Sequence, residues 1–138
     1  MKKLISILLL AVTMIAVNAC EETKASEIEQ ITVDQMSEAL KNDSIQLLDV
    51  RTTDEYIESH LENAHNICVT DNDFKSKAAS LNRDEPVYVY CKKGGRSAKA
   101  AKILQEMGFT KIYDMTGGIL LWEEAGLKTE KESVQMIP

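Results

Sequence analysis

The fold can be worked out from residues 87–108, which read VYVYCKKGGRSAKAAKILQEMG. The short apolar run at the start contains valine and tyrosine, and it predicts a buried strand. The alanine-rich run over residues 97–107 predicts a helix with one apolar face, and Gly108 stands where a C-terminal cap is expected. Cys91 therefore lies where a strand ends and a helix has not yet begun.

Short apolar runs alternate with helical patterns along the rest of the chain. Asp34 is placed to cap the first helix, and Thr52 and Glu55 have the spacing of a capping box at the second. Strands that alternate with helices pair in parallel through right-handed crossovers, so the sequence predicts a three-layer α/β sandwich. The predicted strands are residues 31–33, 45–50, 64–69, 86–90 and 111–115, and the predicted helices are residues 35–41, 52–60, 74–81, 97–107 and 117–126.

The loop after the fourth strand combines features that favour an anion. Two glycines allow a tight arc of inward N–H groups, three basic residues add positive charge, and the start of a helix is electropositive. Such surroundings lower the pKa of a thiol, so we expect a reactive thiolate at Cys91 rather than a small buried hydrophobic residue. The candidate site is Cys91 with the loop residues Lys92, Lys93, Gly94, Gly95, Arg96 and Ser97.

The chain resembles a single-domain rhodanese, a sulfurtransferase, over most of residues 31–127. The resemblance implies a sheet of five parallel strands, with the second strand next to the fourth, and a persulfide on Cys91. Ser59 and Asn63 stand where the family usually has glycine, and Cys68 stands where proline is common. Four segments carry the resemblance: LLDVRTTDEY (47–56), SHLENAHNI (59–67), CKKGGRS (91–97) and MTGGILLWEEAGL (115–127).

The resemblance implies that sulfane sulfur moves from a small anionic donor such as thiosulfate to cyanide or a thiol, which can belong to a protein. Two half-reactions joined by a covalent intermediate imply ping-pong kinetics. No metal or organic cofactor is expected, since the sequence shows no metal-ligand spacing.

Two other functions stay open. A phosphatase or arsenate reductase also holds a thiolate in an anion-binding loop, but it has five residues between Cys and Arg, whereas four separate Cys91 from Arg96. A rhodanese-like binding or redox-sensing module would keep the fold without turnover. This chain keeps the cysteine together with the whole loop, which favours the enzyme.

Residues outside the loop are given mostly structural roles. Asp49 and Arg51 end the second strand and are expected to support the loop, with an ion pair between Arg51 and Glu55 as an equal alternative. His60 is expected to be structural, because a thiolate that the loop already stabilises needs no catalytic base. Trp122 is expected in the core.

The cysteines raise the question of a disulfide. In an exported protein Cys68 and Cys91 could be bridged. The strand order of the family, however, places one strand between them, which separates their strand ends by roughly 10 Å, whereas a disulfide needs Cα atoms within about 7 Å. We therefore expect Cys91 to be free and Cys68 to be a partly buried thiol, with a resolving role for Cys68 as the alternative.

The N-terminus predicts export and a lipid anchor. Residues 1–19 contain two lysines and then an uncharged apolar run, which is typical of a signal peptide, and VNAC resembles a lipobox that ends at Cys20. A lipoprotein of the cell envelope, in the periplasm or at the outer membrane, is expected. The expected plan is a lipoprotein signal peptide (1–19), a lipidated cysteine with a flexible tether (20–30), a rhodanese-like domain (31–130) and a polar C-terminal tail (131–138).

The charge balance excludes one class of partner. The chain has 16 basic and 22 acidic residues, for a net charge of −6 at pH 7. Binding of nucleic acid needs a basic surface, so no nucleic acid is expected as a partner. Contact with a membrane is expected only through the lipid.

Overall fold

The computed structural model describes residues 25–132. It contains one parallel sheet of five strands in the order β1-β5-β4-β2-β3, which confirms the predicted α/β architecture. Within the described residues no helix is both long and apolar enough to span a bilayer. The strands are β1 (Glu27–Ile31), β2 (Gln46–Asp49), β3 (His65–Asn66), β4 (Val87–Tyr90) and β5 (Lys111–Met115), and the helices are α1 (Val33–Ala39), α2 (Thr53–Glu58), α3 (Phe74–Ala78), α4 (Gly95–Glu106) and α5 (Gly118–Glu124).

Two apolar clusters fill the space on the two faces of the sheet. One face packs against α3 and α4, because Val89 of β4 belongs to the same buried cluster as Phe74 and Leu104. The other face packs against α1 and α5, where Met36 and Trp122 belong to the second cluster. Successive strand residues point to opposite faces, so each buried strand contributes to both clusters. Trp122 is only 5% exposed, which confirms its predicted place in the core.

The first strand begins earlier than the sequence suggested. Residues 31–33 were the predicted strand, but β1 spans Glu27–Ile31 and pairs in parallel with β5. The prediction of a flexible tether over residues 20–30 is therefore wrong from Glu27 onward. The segment looks polar because it is an edge strand, whose outer carboxylates Glu27 and Glu29 bind Lys111 at 2.8 Å each. The predicted signal peptide, Cys20 and the tail from residue 133 lie outside the described residues.

Helix starts also differ from the predictions in two places. Thr32, rather than Asp34, caps α1, because its hydroxyl accepts from the N–H of Gln35 while the Gln35 side chain accepts from the N–H of Thr32. Helix α4 begins at Gly95 instead of at residue 97, with Gly94 at the N-cap in a left-handed conformation. The capping box predicted for α2 is confirmed at Thr52.

Strand β3 is the least regular element. Six residues, 64–69, were predicted to be extended, but the strand itself has two, His65 and Asn66. The chain nevertheless stays beside β2, since the N–H of Val69 donates to the carbonyl of Val50 at 3.1 Å. The carboxyl ends of β2, β3 and β4 therefore meet at one edge of the sheet, and the loop after β4 lies there.

Candidate functional site

Cys91 lies directly after β4, at the base of the loop that leads into α4. The residue is only 1% exposed, whereas Lys92 and Lys93 beside it are exposed. The backbone N–H of Gly94 donates to the sulfur of Cys91 at 3.0 Å. The loop thus curls around the sulfur, as the glycine pair led us to expect.

Helix α5 holds this loop from behind. The N–H of Ile119 donates to the carbonyl of Cys91 at 2.9 Å, and the N–H of Leu120 donates to the carbonyl of Lys92 at 3.3 Å. In a trans peptide the carbonyl and the following N–H point in opposite directions. Because these carbonyls point towards α5, the N–H groups of Lys92 and Lys93 point away from it, and that of Lys93 acts on the Cys91 sulfur.

Gly118 makes this close approach possible. Its φ of +62° lies in the left-handed region, and a Cβ atom there would lie 2.4 Å from the carbonyl oxygen of Cys91 and 2.5 Å from that of Lys92. A side chain would therefore push the loop away from α5. This role of Gly118 was not predicted from the sequence, where the Gly-Gly pair at the start of α5 was the signal that could have indicated it.

The surroundings of the thiol shift its pKa in two opposing ways. Burial of Cys91 raises the pKa, because it disfavours the charged thiolate. The backbone N–H groups of Ser97, Gly94 and Lys93 and the nearby Ser97 hydroxyl act in the opposite sense, and together they leave the pKa of Cys91 below its ordinary value. The loop therefore favours a thiolate.

Ser97 lies in the first turn of α4 and is fully buried. Its hydroxyl donates to the carbonyl of Gly94 at 3.1 Å. This hydrogen bond links the first turn of α4 to the middle of the loop. The same hydroxyl is close enough to Cys91 and Asp114 to lower the pKa of both groups.

Arg96 is bound by Glu55, for which the sequence suggested Arg51 as the partner. Its two terminal nitrogens donate to the two carboxylate oxygens of Glu55 at 2.7 and 2.8 Å. This hydrogen-bonded arginine lowers the pKa of Glu55 to about 2. The suggested ion pair between Arg51 and Glu55 is therefore wrong, because Glu55 at the start of α2 faces the loop across the edge of the sheet.

Asp49 and Arg51 form a buried pair of their own. Arg51 donates to Asp49 through two side-chain nitrogens, the shorter bond being 2.6 Å, and it also donates to the carbonyl of Ser59. The hydroxyl of Tyr90 donates to Asp49 at 2.7 Å and accepts from the N–H of Leu61. Because Tyr90 immediately precedes Cys91, this pair fixes the end of β4 rather than contacting the loop around the Cys91 sulfur.

His60 is held in place by contacts with Tyr56 and Glu130. Its Nδ1 atom lies 2.8 Å from the carbonyl oxygen of Tyr56, so Nδ1 carries the hydrogen and donates. The ring stacks on that of Tyr56 with centroids 3.9 Å apart, and Nε2 faces Glu130 at 3.9 Å. These contacts agree with the expected structural role.

Cys68 and Cys91 are unbridged. Strand β2 lies between β3 and β4, as expected, and so separates the two thiols. Cys68 is 5% exposed, more fully buried than expected, and its sulfur lies 3.1 Å from the hydroxyl of Thr70. Across residues 25–132, no three His, Cys, Asp or Glu side chains are grouped in a way that could hold a metal ion.

Comparison with known proteins gives consistent matches. Residues 32–125 match the Rhodanese-like domain family. The chain is 35% identical over 123 residues to the protein HIGH ARSENIC CONTENT 1, mitochondrial, of Arabidopsis thaliana, which covers 80% of this chain and 73% of the relative. It is 32% identical over 101 residues to the thiosulfate sulfurtransferase GlpE of Actinobacillus pleuropneumoniae, covering 73% of this chain and 92% of the relative.

A solved structure agrees with these matches. The crystal structure of a rhodanese-related protein from Thermoplasma volcanium is 33% identical and superposes with a TM-score of 0.67. The superposition covers 75% of this chain and 99% of that protein.

Proposed function

Because the chain belongs to the Rhodanese-like domain family, we propose that it is a sulfurtransferase that moves sulfane sulfur through a persulfide on Cys91. The donor would be a small anion such as thiosulfate, and the acceptor would be a thiol or cyanide. The observation that carries this proposal is the arc of N–H groups around the Cys91 sulfur, with Gly94 donating at 3.0 Å and the thiol pKa lowered. The similarity to a thiosulfate sulfurtransferase supports it.

In the first half-reaction the Cys91 thiolate attacks the outer sulfur of thiosulfate. The new S–S bond forms as the sulfur–sulfur bond of the donor breaks, and sulfite leaves with the electron pair. The product is a Cys91 persulfide anion, and no proton has to move. Fixed N–H donors stabilise such an anion without rearranging as the charge moves to the outer sulfur.

In the second half-reaction an acceptor thiolate or cyanide attacks the outer sulfur. Its bond to the inner sulfur breaks, and the Cys91 thiolate leaves with the electron pair. The Lys92 and Lys93 ammonium groups, which are exposed on the loop, would attract anionic donors to an acidic protein. The charge of Arg96 is already balanced by Glu55, so Arg96 holds the loop in place rather than meeting the donor.

The size of the arc favours sulfur over a tetrahedral oxyanion. Four residues separate Cys91 from Arg96, and the Cys91 sulfur itself occupies the centre of the arc. At 1% exposure the sulfur is covered by the resting loop, so a donor must reach it through that loop. A single added sulfur atom needs less widening of the arc than a phosphate or arsenate ion would.

The test is the mass of the intact protein after incubation with thiosulfate and removal of the donor. The wild type and Cys68→Ser are expected to gain one sulfur atom, and Cys91→Ser none, because only Cys91 lies in the arc. Cys91→Ser should also lose thiosulfate:cyanide transferase activity, while the circular dichroism spectrum stays unchanged. Activity above a few per cent of wild type in Cys91→Ser would refute the assignment.

Two further outcomes identify the alternatives. A wild type that gains no sulfur from thiosulfate or from a polysulfide would be a binding or redox-sensing module. Reduction of arsenate or hydrolysis of a phosphate ester that depends on Cys91, without any gain of sulfur, would place the chain with the oxyanion enzymes.

A further inference from the structure

Two buried aspartates lie in the sheet, and their surroundings are opposite. Asp49 is fully buried and accepts hydrogen bonds from the Arg51 guanidinium and the Tyr90 hydroxyl. Asp114 on β5 is 2% exposed, and its Oδ2 accepts one hydrogen bond, from Gln30 at 2.8 Å. Its Oδ1 is buried without any hydrogen-bond partner among residues 25–132. Asp49 therefore has the surroundings of a carboxylate ion, and Asp114 does not.

The difference indicates the protonation state of Asp114. An ionised carboxylate has only acceptor sites, about four of them, and a buried charge without a cation is very unfavourable. Burial raises the pKa of Asp114, although the nearby Ser97 hydroxyl and the hydrogen bond from Gln30 act against that rise. A neutral carboxylic acid has a hydrogen of its own to donate, and it needs a nearby acceptor.

The register of the sheet shows which group that acceptor is. Val89 pairs with Asp114 and Val87 with Ile112, and partners in neighbouring strands point to the same face. Val87, Val89, Ile112 and Cys91 all belong to the cluster on the α4 face, so Asp114 points to that face as well. Ser97 lies there, fully buried in the first turn of α4, with its hydroxyl beside both Asp114 and Cys91.

We propose that Asp114 is a positioning residue for Cys91: its neutral carboxyl group donates a hydrogen bond to the hydroxyl oxygen of Ser97, which leaves the Ser97 hydrogen free for the sulfur anion. In the resting loop that hydrogen points to the carbonyl of Gly94. An ionised Asp114 would instead draw the hydrogen towards itself and would set a second negative charge near the thiolate. The neutral acid avoids both effects.

This role of Asp114 rests on the proposed function, in which the Cys91 thiolate reacts. Its test, however, does not require sulfur transfer. In the full chain, the rate at which iodoacetamide alkylates Cys91 is measured against pH, and the Cys91 peptide is followed by mass spectrometry. The rate reports the thiolate fraction, so its midpoint gives the thiol pKa. Activity can fail while this titration still gives an answer.

Three variants define the expected result. Asp114→Asn supplies an amide N–H to donate to Ser97 and a carbonyl oxygen to accept from Gln30, without a charge, so the midpoint should stay at the wild-type value. Asp114→Leu keeps the shape without any hydrogen bond, so the midpoint should rise by about one pH unit, which is the size expected for a lost hydrogen bond to a charged group. In a Ser97→Ala background, Asp114→Leu should add no further shift, because the effect passes through Ser97.

Other charged groups on the neighbouring elements are unchanged in these variants: the ones at the site and on the sheet are paired, and Lys99, Lys102 and Glu106 of α4 are exposed. Lys92 and Lys93 stay exposed on the loop in every variant. A shift of the midpoint in Asp114→Leu therefore reports the Asp114–Ser97 contact. The pairs are Asp49 with Arg51, Glu55 with Arg96, and Lys111 with Glu27 and Glu29.

Contrary results are equally clear. A lower midpoint in Asp114→Asn would show that the wild-type carboxyl is ionised, and an unchanged midpoint in Asp114→Leu would show that Asp114 does not act on Cys91. An equal shift in the Ser97→Ala background would show that Ser97 is not the intermediary. If Asp114→Leu does not fold, NMR of the wild type replaces it. The chemical shift of the Asp114 carboxyl carbon is followed against pH, and the signal is assigned by its absence in Asp114→Asn. This chemical shift must stay that of a neutral acid through the pH range in which Cys91 titrates.

Discussion

Glu55 performs two tasks with one carboxylate. Its Oε2 accepts from the backbone N–H and the hydroxyl of Thr52, which closes the capping box of α2. Both of its oxygens also accept from Arg96, so the start of α2 holds the loop after β4. A bidentate arginine–carboxylate pair fixes orientation as well as distance. A residue that looks like an ordinary cap in the sequence therefore sets the position of the loop.

The Glu55–Arg96 pair predicts an acid-dependent loss of stability. The pKa of Glu55 is lowered from 4.5 to about 2, chiefly by Arg96, so the pair stabilises the fold fully above pH 4.5 and is lost as the pH falls towards 2. The two side chains are 25% and 32% exposed, and solvent screening reduces the contribution to about 1 kcal/mol. Glu55→Gln, which keeps the cap, should lower the free energy of unfolding by that amount at pH 7.

Urea unfolding at pH 7 and at pH 2.5 checks this prediction. The difference between wild type and Glu55→Gln should shrink at the lower pH, where the wild-type carboxylate is being protonated. Glu58→Gln removes the same charge from the exposed end of α2 and should change little at either pH. An equal effect of the two substitutions would mean that net charge, rather than the bond to Arg96, is responsible.

Among the elements, α5 is the one that shapes the loop after β4. Its first N–H groups bind the carbonyls of Cys91 and Lys92, although α5 lies after β5 in sequence. The first N–H groups of a helix have no partner inside the helix, so they are available for this contact. The approach is so close that only glycine fits at Gly118.

Gly118→Ala should therefore damage both stability and sulfur loading. Gly126 is the matched control, because its φ of +75° is also left-handed but an added Cβ would have no neighbour within 4 Å. Gly126→Ala should cost about 1 kcal/mol for the backbone conformation alone. Gly118→Ala should cost about 3 kcal/mol, since the clash with the loop carbonyls adds to that.

Thermal or urea unfolding measures these costs, and intact mass after thiosulfate treatment measures sulfur loading. We expect Gly126→Ala to load sulfur as the wild type does and Gly118→Ala to load much less. Normal loading in a folded Gly118→Ala protein would show that the contact with α5 does not shape the arc.

For the whole molecule, the order of the strands brings the site together. Strand β2 lies between β3 and β4, so Asp49, the start of α2 and the loop after β4 all meet at one edge of the sheet. Acidic groups dominate the chain as a whole, while the exposed lysines of the loop form a local basic region above the sulfur. These lysines would attract the proposed anionic donor to the loop in spite of the net negative charge of the chain.

The N-terminal sequence predicts that the whole protein is held at a membrane by lipid on Cys20. Expressed with its own N-terminus in a bacterium that processes lipoproteins, the wild type should enter the detergent phase on phase separation and should incorporate labelled fatty acid at Cys20. More than one acyl chain is needed for stable anchoring, because each buried methylene contributes only about 0.8 kcal/mol.

Cys20→Ser should lose the label and leave the detergent phase, while the control Cys68→Ser should keep both. Retention of Cys20→Ser in the detergent phase would point to an uncut apolar segment as the anchor instead of a lipid.

The sequence by itself determined the type and order of the elements. Periodicity and glycine positions are local properties, and they were enough to predict a parallel α/β sheet and to place Cys91 in an anion-binding loop. They also predicted the capping box at Thr52 and the fifth strand over residues 111–115, which the structure confirms. Each of these features depends on residues only a few positions apart.

Contacts between distant segments were decided only by the tertiary structure. Residues 27–30 read as a polar tether because nothing nearby shows that β5 pairs with them, 84 positions later. Glu55 has arginines at 51 and 96, and only the adjacency of β2 and β4 determines that the second is its partner. The unpaired Oδ1 of Asp114 and the clash that excludes a side chain at Gly118 are also invisible in the sequence. A sequence pattern indicates which kind of interaction a residue can make, whereas tertiary packing determines which distant group is its partner.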